Sequence, residues 1–339
     1  DVATSYNNLG GIYYSQGDYA KAEECYRKAL EIRLKTLGED HPDVATSYNN
    51  LGALYYSQGD YAKAEEYHRK ALEIRLKTLG EDHPDVAKSY NSLGALYYSQ
   101  GDYAKAEECY RKALEILLKT VGENHPDVAS SEAQLACVYT LQGKYAEAES
   151  LYRHVLEIRE ATIAKETPGG AHPGIAMAFH NLAWVATMQG DYARAEPLYR
   201  KAIEVWRRAF GFEHPRSIST LCDLAYNQLK LGETASAESI YVHALEVAEN
   251  TLGSEHPEVA DVLEQLTAVM RLEGRYDEAV KLASRAVTIR HRNFTQNALA
   301  LSEEEALIFS RQLAQSVSGF VSCINDAGLV DVYLPVLAN

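Results

Sequence analysis

The chain has 339 residues, 46% of them hydrophobic and 24% charged, with 48 Asp+Glu against 33 Lys+Arg for a net charge of −15. This is the composition of a folded chain, and no apolar run approaches the roughly 18 residues that a membrane span requires, so no membrane role is expected. An acidic balance without a basic cluster argues against nucleic acid as a direct partner, because phosphate binding rests on grouped Lys and Arg.

Taken in chain order, the sequence opens at Asp1 without a methionine and is read as a fragment of a longer chain. His-Pro dipeptides end at Pro42, Pro84, Pro126, Pro173, Pro215 and Pro257, spaced by 42 residues except for one interval of 47. Residues 1–42 and 43–84 differ only at Gly11/Ala53, Ile12/Leu54, Cys25/Tyr67 and Tyr26/His68, the mark of a recently duplicated unit. Within the first unit Val2, Tyr6, Leu9 and Tyr13 form one helical face, and Tyr19, Ala22, Tyr26 and Ala29 form a second. Gly17-Asp18 breaks the chain between them, with Asp18 placed to cap the second helix. Pro42 suits the first helical position of the next unit, and Asp43 the positive end of its dipole.

Each unit is therefore predicted to be a helix hairpin. A lone hairpin of this size cannot bury its apolar stripe, so neighbours must stack. Seven units and a five-residue insertion fill residues 1–299, leaving 300–339 as a tail of capping or linking helices that leads toward a further domain. The insertion falls in Ala164 to Ala171, with a Pro-Gly-Gly turn signal that is read as a surface loop before a hinge. Pro197 is expected to bend its helix locally. Trp206 is assigned to an exposed position, covering the insertion or touching another domain. In the tail, Ser302 and Glu305 form a capping box ahead of a stripe of Ala306, Phe309, Leu313, Val317, Phe320, Val321 and Ile324.

Leu9-Gly10, Tyr13, Gly17, Tyr19, Ala22, Tyr26 and Ala29 resemble the tetratricopeptide repeat (TPR) pattern, recurring in degraded form through the seventh unit. The eight extra residues per repeat, ending in LGEDHP, resemble the long-helix repeats of kinesin light chains. The resemblance implies an all-α fold, a right-handed α-α superhelix or TPR solenoid, whose first helices line a concave, partner-binding groove. On the family's ligand-contacting positions stand Thr4, Asn7, Asn8, Gly11, Tyr14 and Ser15, then Asn49, Asn50 and Tyr56, then Lys88, Asn91 and Tyr98. These amides and phenols suit an extended peptide backbone, since amides both donate and accept. Asn8 and Asn50 match the asparagine of carboxylate-clamp repeats, but the clamp's basic residues are largely missing apart from Lys88. Further along, the floor position of Gly11 becomes Cys137, Trp184 and Tyr226, and His180, Asn181 and Trp184 share one helical turn as a candidate anchor pocket. An alternative reading packs Trp184 against the adjacent helix.

No Gly-rich phosphate loop, HExxH pair or zinc-spaced Cys/His set is present, so no catalysis, no cofactor and no metal are expected within these residues. The histidines at 41, 83, 125, 172, 214 and 256 recur once per unit and are given a structural role. The five cysteines are odd in number and widely spaced, which suits a reducing, cytoplasmic setting. Cys25 and Cys109 share a register two units apart and are assigned to packing. The tail, with LALSEEEALIFSRQL and DVYLPVL, resembles the segment joining repeat arrays to bacterial CHAT caspase-like proteases. Two functions follow as expectations. One is a scaffold binding a protein or peptide in its groove as the regulatory arm of such a protease; the other is a cargo or scaffold adaptor similar to kinesin light chain.

Overall fold

The structure, a computed structural model, describes residues 2–166, 172–211, 214–297 and 303–326. Among them every regular element is a helix. Two compact units divide the chain, Asp1–Thr162 and Ile163–Asn339.

The first unit is built from α1 (Val2–Ser15), α2 (Tyr19–Leu37), α3 (Pro42–Ser57), α4 (Tyr61–Leu79), α5 (Pro84–Ser99), α6 (Tyr103–Thr120), α7 (Pro126–Leu141) and α8 (Tyr145–Glu166), paired as antiparallel hairpins. Both turns of each repeat are chemically specified. Gly17 takes φ 75°, a left-handed conformation that ends α1 without a Cβ clash, and the Asp18 carboxylate then accepts the Lys21 amide at 3.2 Å. At the opposite turn the imidazole does the capping: His41 Nδ1 accepts the amide of Asp43 at 3.1 Å, and Pro42 fills the first position. His83, His125, His172, His214 and His256 repeat this contact, so the structural role expected of these histidines is N-capping.

Packing follows the small and large residues of the repeat. Gly10 and Gly94 face the rings of Tyr26 and Tyr110, and an added Cβ would lie only 2.7 and 2.6 Å from them, so the backbone of the first helix presses on the aromatic of the second. In the second hairpin His68 replaces the tyrosine under Gly52, and its buried Nδ1 has no hydrogen-bond partner. Val44, Leu51 and Leu54 are fully buried, each contributing roughly 1.5–3 kcal/mol. The matching face of α1 is open: Val2 and Leu9 are exposed, because no described hairpin precedes it. Between hairpins a buried arginine forms a lock. Arg33 Nη1 donates to Ser47 Oγ at 2.8 Å and Arg75 Nη1 to Ser89 Oγ at 2.7 Å, tying each second helix to the next first helix.

The second unit contains α9 (Pro173–Met188), α10 (Tyr192–Phe210), a 3-10 turn at Pro215–Ser217, α11 (Ile218–Lys230), α12 (Thr234–Leu252), α13 (Pro257–Leu272), α14 (Tyr276–Asn297) and α15 (Glu303–Asp326). α10 runs through Pro197 without interruption. Trp206 departs from expectation. It is buried at 4% exposure and stacks on Phe210, because its register is that of Arg33 and Arg75, the position facing the next hairpin. Its Nε1 has no partner.

The tail helix α15 packs on α14 through Phe320, Cys323 and Ile324. Arg290, again in the Arg33 register, donates from Nε to Ser316 Oγ at 3.2 Å, and Ser316 also contacts Glu264. α15 thus occupies the seat that the first helix of a further hairpin would take, through the same arginine–serine contact. Phe320 and Ile324 of the expected stripe are buried, and Leu313, Val317 and Val321 are half-buried beside them. The side chains of Ala306 and Phe309, the capping box at Ser302, residues 167–171 of the expected loop and the DVYLPVL segment lie outside the described residues, whereas residues 164–166 continue α8.

Candidate partner-binding face

In the first unit the first helices stand side by side, α3 beside α5 and α5 beside α7. Their facing positions are cross-linked. Asn50 Nδ2 donates to Asn7 Oδ1 at 2.8 Å, Tyr14 shares a 2.6 Å hydrogen bond with Ser57, and Tyr56 shares one of 2.7 Å with Ser99. Ser92 reaches Asn49 at 3.4 Å, Asn91 donates to Ser131 at 2.8 Å, and the Cys137 thiol donates to Tyr98 at 3.3 Å. The groups singled out for a peptide backbone are therefore engaged with one another in ladders that hold the repeats in register. An amide has more than one hydrogen-bonding site, so each retains capacity toward a partner. Asn8 is exposed, and Lys88 is paired with Asp85 on its own helix at 2.8 Å, a weak surface pair that leaves the ammonium open to exchange.

In the second unit His180, in the Asn7 register, continues the ladder: its Nε2 lies 3.4 Å from Asp223 Oδ2 and its Nδ1 3.2 Å from Thr220 Oγ1. Burial holds the imidazole down to about 4, so the ring is neutral at physiological pH, and its edge meets the Tyr199 ring. Asn181 and Trp184 are half-buried on α9, and Tyr226 is 41% exposed on α11. Tyr226 lines a cleft of about 540 Å3 with Ile218, Cys222, Asp223, Glu258 and Asp261, to which His180 connects through Asp223.

Asp223, Glu258 and Asp261 were not among the sequence-predicted site residues. Their signal lay in register comparison: Asp223 replaces Asn8 and Asn50, and Asp261 replaces Thr46 and Lys88, turning polar or basic groove positions acidic. Asp223 keeps 44% of its side-chain surface open yet sits low among the surrounding helices, and burial pushes its carboxyl up to about 6. Burial also raises Glu258, opposed by His256 and reinforced by Asp261. The Cys222 thiol is pushed up to about 12 by burial, which keeps it protonated and a poor nucleophile. The cleft has an acidic rim.

These features define a stacked helix-hairpin repeat protein. The family model for the tetratricopeptide repeat matches residues 1–77, 55–119, 85–161, 161–208, 185–249 and 216–291. The chain belongs to the tetratricopeptide repeat family, with the all-α superhelical repeat fold of that family and 42-residue repeats of kinesin-light-chain type. A crystal structure of nearly identical TPR-like repeats from a putative kinesin light chain of Podosopora anserina is 25% identical, with a TM-score of 0.53 for the variant form and 0.52 for the other; the latter alignment covers 62% of this chain and 98% of that one. BtubC (BKLC) from P. vanneervenii is 24% identical over 70% of this chain and 92% of its own, with a TM-score of 0.57. A STAND protein with a tetratricopeptide repeat sensor from Pyrococcus horikoshii shares the fold at a TM-score of 0.64 and 18% identity, over 91% of this chain and 44% of that one. A nucleotide-binding leucine-rich repeat (NLR)-like protein of Hyaloscypha variabilis is 51% identical over 37 residues, which is 11% of this chain and 4% of that protein. The chain is a protein-interaction scaffold by family, and no helix among the described residues is long and apolar enough to cross a membrane.

Proposed function

We propose that this chain is the partner-sensing arm of a larger regulatory protein. It binds a protein segment on its first-helix face and passes the bound state through α15 to a domain beyond Asn339, for which a CHAT-type caspase-like protease is the specific candidate. No catalytic step is assigned to the residues of this chain, and a cytoplasmic setting fits the unpaired thiols of its five cysteines.

The observation that carries the reading is the seat of α15. The helix is held by polar contacts centred on the buried Arg290 and Ser316 as well as by apolar side chains: Arg290 meets Asp261, Glu264 and Ser316, while Arg271 Nη2 reaches Ser322 Oγ at 2.9 Å and Asp326 at 2.7 Å. Releasing α15 removes Ser316 and exposes the buried Arg290 to water, which sets a seated and a released position for the helix. Asp261 also borders the acidic cleft, so a ligand there acts directly on a group that holds Arg290. The sensor repeats of the Pyrococcus horikoshii STAND protein and the short NLR-like match support a regulatory setting. The kinesin-light-chain-like structure at 25% identity favours the second reading, an adaptor.

The experiment is hydrogen exchange over 303–326 in the complete protein, alone and with its partner isolated from native extract, together with the reading frame past Asn339. Partner-dependent exchange in α15 and a downstream caspase-like domain are the expected results. A frame that stops near Asn339, with exchange indifferent to the partner, refutes the sensor arm and leaves the adaptor.

A further inference from the structure

On α2, α4 and α6 most carboxylates have a basic neighbour on the same helix, as Glu23 has Arg27 and Glu66 has Lys70. The cleft between α11 and α13 departs from that pattern. Asp261 gives an oxygen to Arg290 at 2.5 Å, but Asp223 is met only by the neutral His180 imidazole, and Glu258 has no lysine or arginine at ion-pair distance among the described residues. Two carboxylates therefore face a concave space with an unmatched demand for positive charge.

The rest of the lining specifies the shape of what could meet that demand. Ile218, Val262 and the buried Tyr241 make an apolar floor, with Ser219 and Gln265 as the remaining polar groups. Tyr226, 41% exposed, stands at the rim, where the Lys230 ammonium lies 5.1 Å from its ring centroid, so an incoming cation must displace Lys230 or take the opposite face of the ring. A bare metal ion would meet too few oxygens on such walls, whereas a guanidinium suits both demands: it is planar, weakly hydrated, donates in a fork to carboxylates and stacks on an aromatic face. The partner's terminal carboxylate, the ligand of basic repeat grooves, is repelled here.

We propose that this cleft receives a cationic side chain of the partner protein, an arginine before a lysine, carried on an extended segment that crosses the exposed Tyr226. The proposal rests on the reading of the first-helix face as the partner-binding surface. It adds the chemistry of the partner.

The test uses the full chain and three labelled, end-blocked nonapeptides with a central Leu-X-Leu, where X is arginine, citrulline or glutamate, titrated by fluorescence anisotropy near pH 7.5 in about 0.15 M salt. The arginine peptide is expected to bind at least tenfold more tightly than the citrulline peptide, which has the same shape without the charge. Asp223→Asn with Glu258→Gln should abolish that preference, and Tyr226→Ala should weaken the arginine peptide severalfold. Because burial already favours the neutral form of Asp223, the amide is not expected to impair folding, and unchanged circular dichroism checks this. Glu24→Gln with Glu66→Gln, on an outer surface of the first unit, removes the same charge and should leave binding as it was.

Equal binding of arginine and citrulline peptides overturns the proposal, as does an equal loss in the outer-surface variant, which would mean diffuse attraction to a chain of net charge −15. Preference for the glutamate or citrulline peptide overturns the cationic chemistry while keeping the partner-binding face. Failure of all three to bind likewise counts against the cationic cleft, whereas the sensor reading stands or falls on the exchange of α15.

Discussion

His68→Tyr should stabilise the protein, and by an amount that depends on pH. His68 is 3% exposed, its Nδ1 has no partner, and burial, with a smaller contribution from Arg75, depresses it from the ordinary 6.5 to about 4. A base whose folded pKa is lowered keeps its contribution above the unfolded value and loses it as pH falls through the window between 6.5 and 4. In that window the unfolded chain takes up a proton that the folded chain refuses, so unfolding becomes easier with acid. Each unit of pH costs up to about 1.4 kcal/mol, and two-state linkage puts the loss at about 2 kcal/mol at pH 5 relative to pH 7.5. Tyrosine removes both the titration and the orphan nitrogen, and the site has room for it. Tyr110 fills the same register in the third hairpin against Gly94 and Ala95, the counterparts of Gly52 and Ala53. Urea unfolding of wild type and variant, followed by circular dichroism at pH 7.5 and pH 5, isolates the effect, since all other titrating groups cancel in the difference. The variant should gain about 1 kcal/mol at pH 7.5 from loss of the unsatisfied nitrogen, rising by about 2 kcal/mol at pH 5. A difference that does not change with pH would refute the account of His68 as a buried neutral imidazole.

Arg75→Leu should cost less than about 1 kcal/mol, because a buried polar lock is replaceable by apolar packing of similar volume, and Leu117 already occupies this register in the third hairpin; a loss above 3 kcal/mol in chemical denaturation would show the arginine to be indispensable. Phe320→Ala should remove about 3–5 kcal/mol, confined to the last hairpin and α15, seen as faster hydrogen exchange in α14 with α3 and α4 unaffected; uniform loss along the chain would contradict nearest-neighbour stability. Trp184→Ala should weaken partner binding by about 2 kcal/mol while moving the thermal midpoint little, since the ring is only half-buried; parallel losses of stability and binding would assign it to packing against the adjacent helix.

Much of this protein is legible in its sequence because its determinants are local. The 42-residue period, the helix pair in each unit, the Gly17-Asp18 turn and the capping role of Asp18 depend on contacts within one helical turn, and the structure reproduces them at nearly the positions read from the residues. That the recurring histidines are structural was also readable, although the cap itself, imidazole to amide, needed coordinates. What the sequence could not decide was which surfaces meet. Trp206 looked like an outer residue because a second helix has an outer face, but the Arg33 register turns toward the following hairpin. The groove asparagines looked free because their partners lie about 40 residues away, and stacking spends them on one another. The acidic cleft arises from residues on α11, α12 and α13 whose adjacency exists only after two hairpins pack. Likewise, an apolar stripe announced that α15 would cover something, but only packing placed Ser316 where Ser47 and Ser89 stand in earlier hairpins. Local chemistry sets where helices begin and end; burial and pairing between helices distant in sequence are set by how the faces are brought together, and the candidate binding site belongs to that second class.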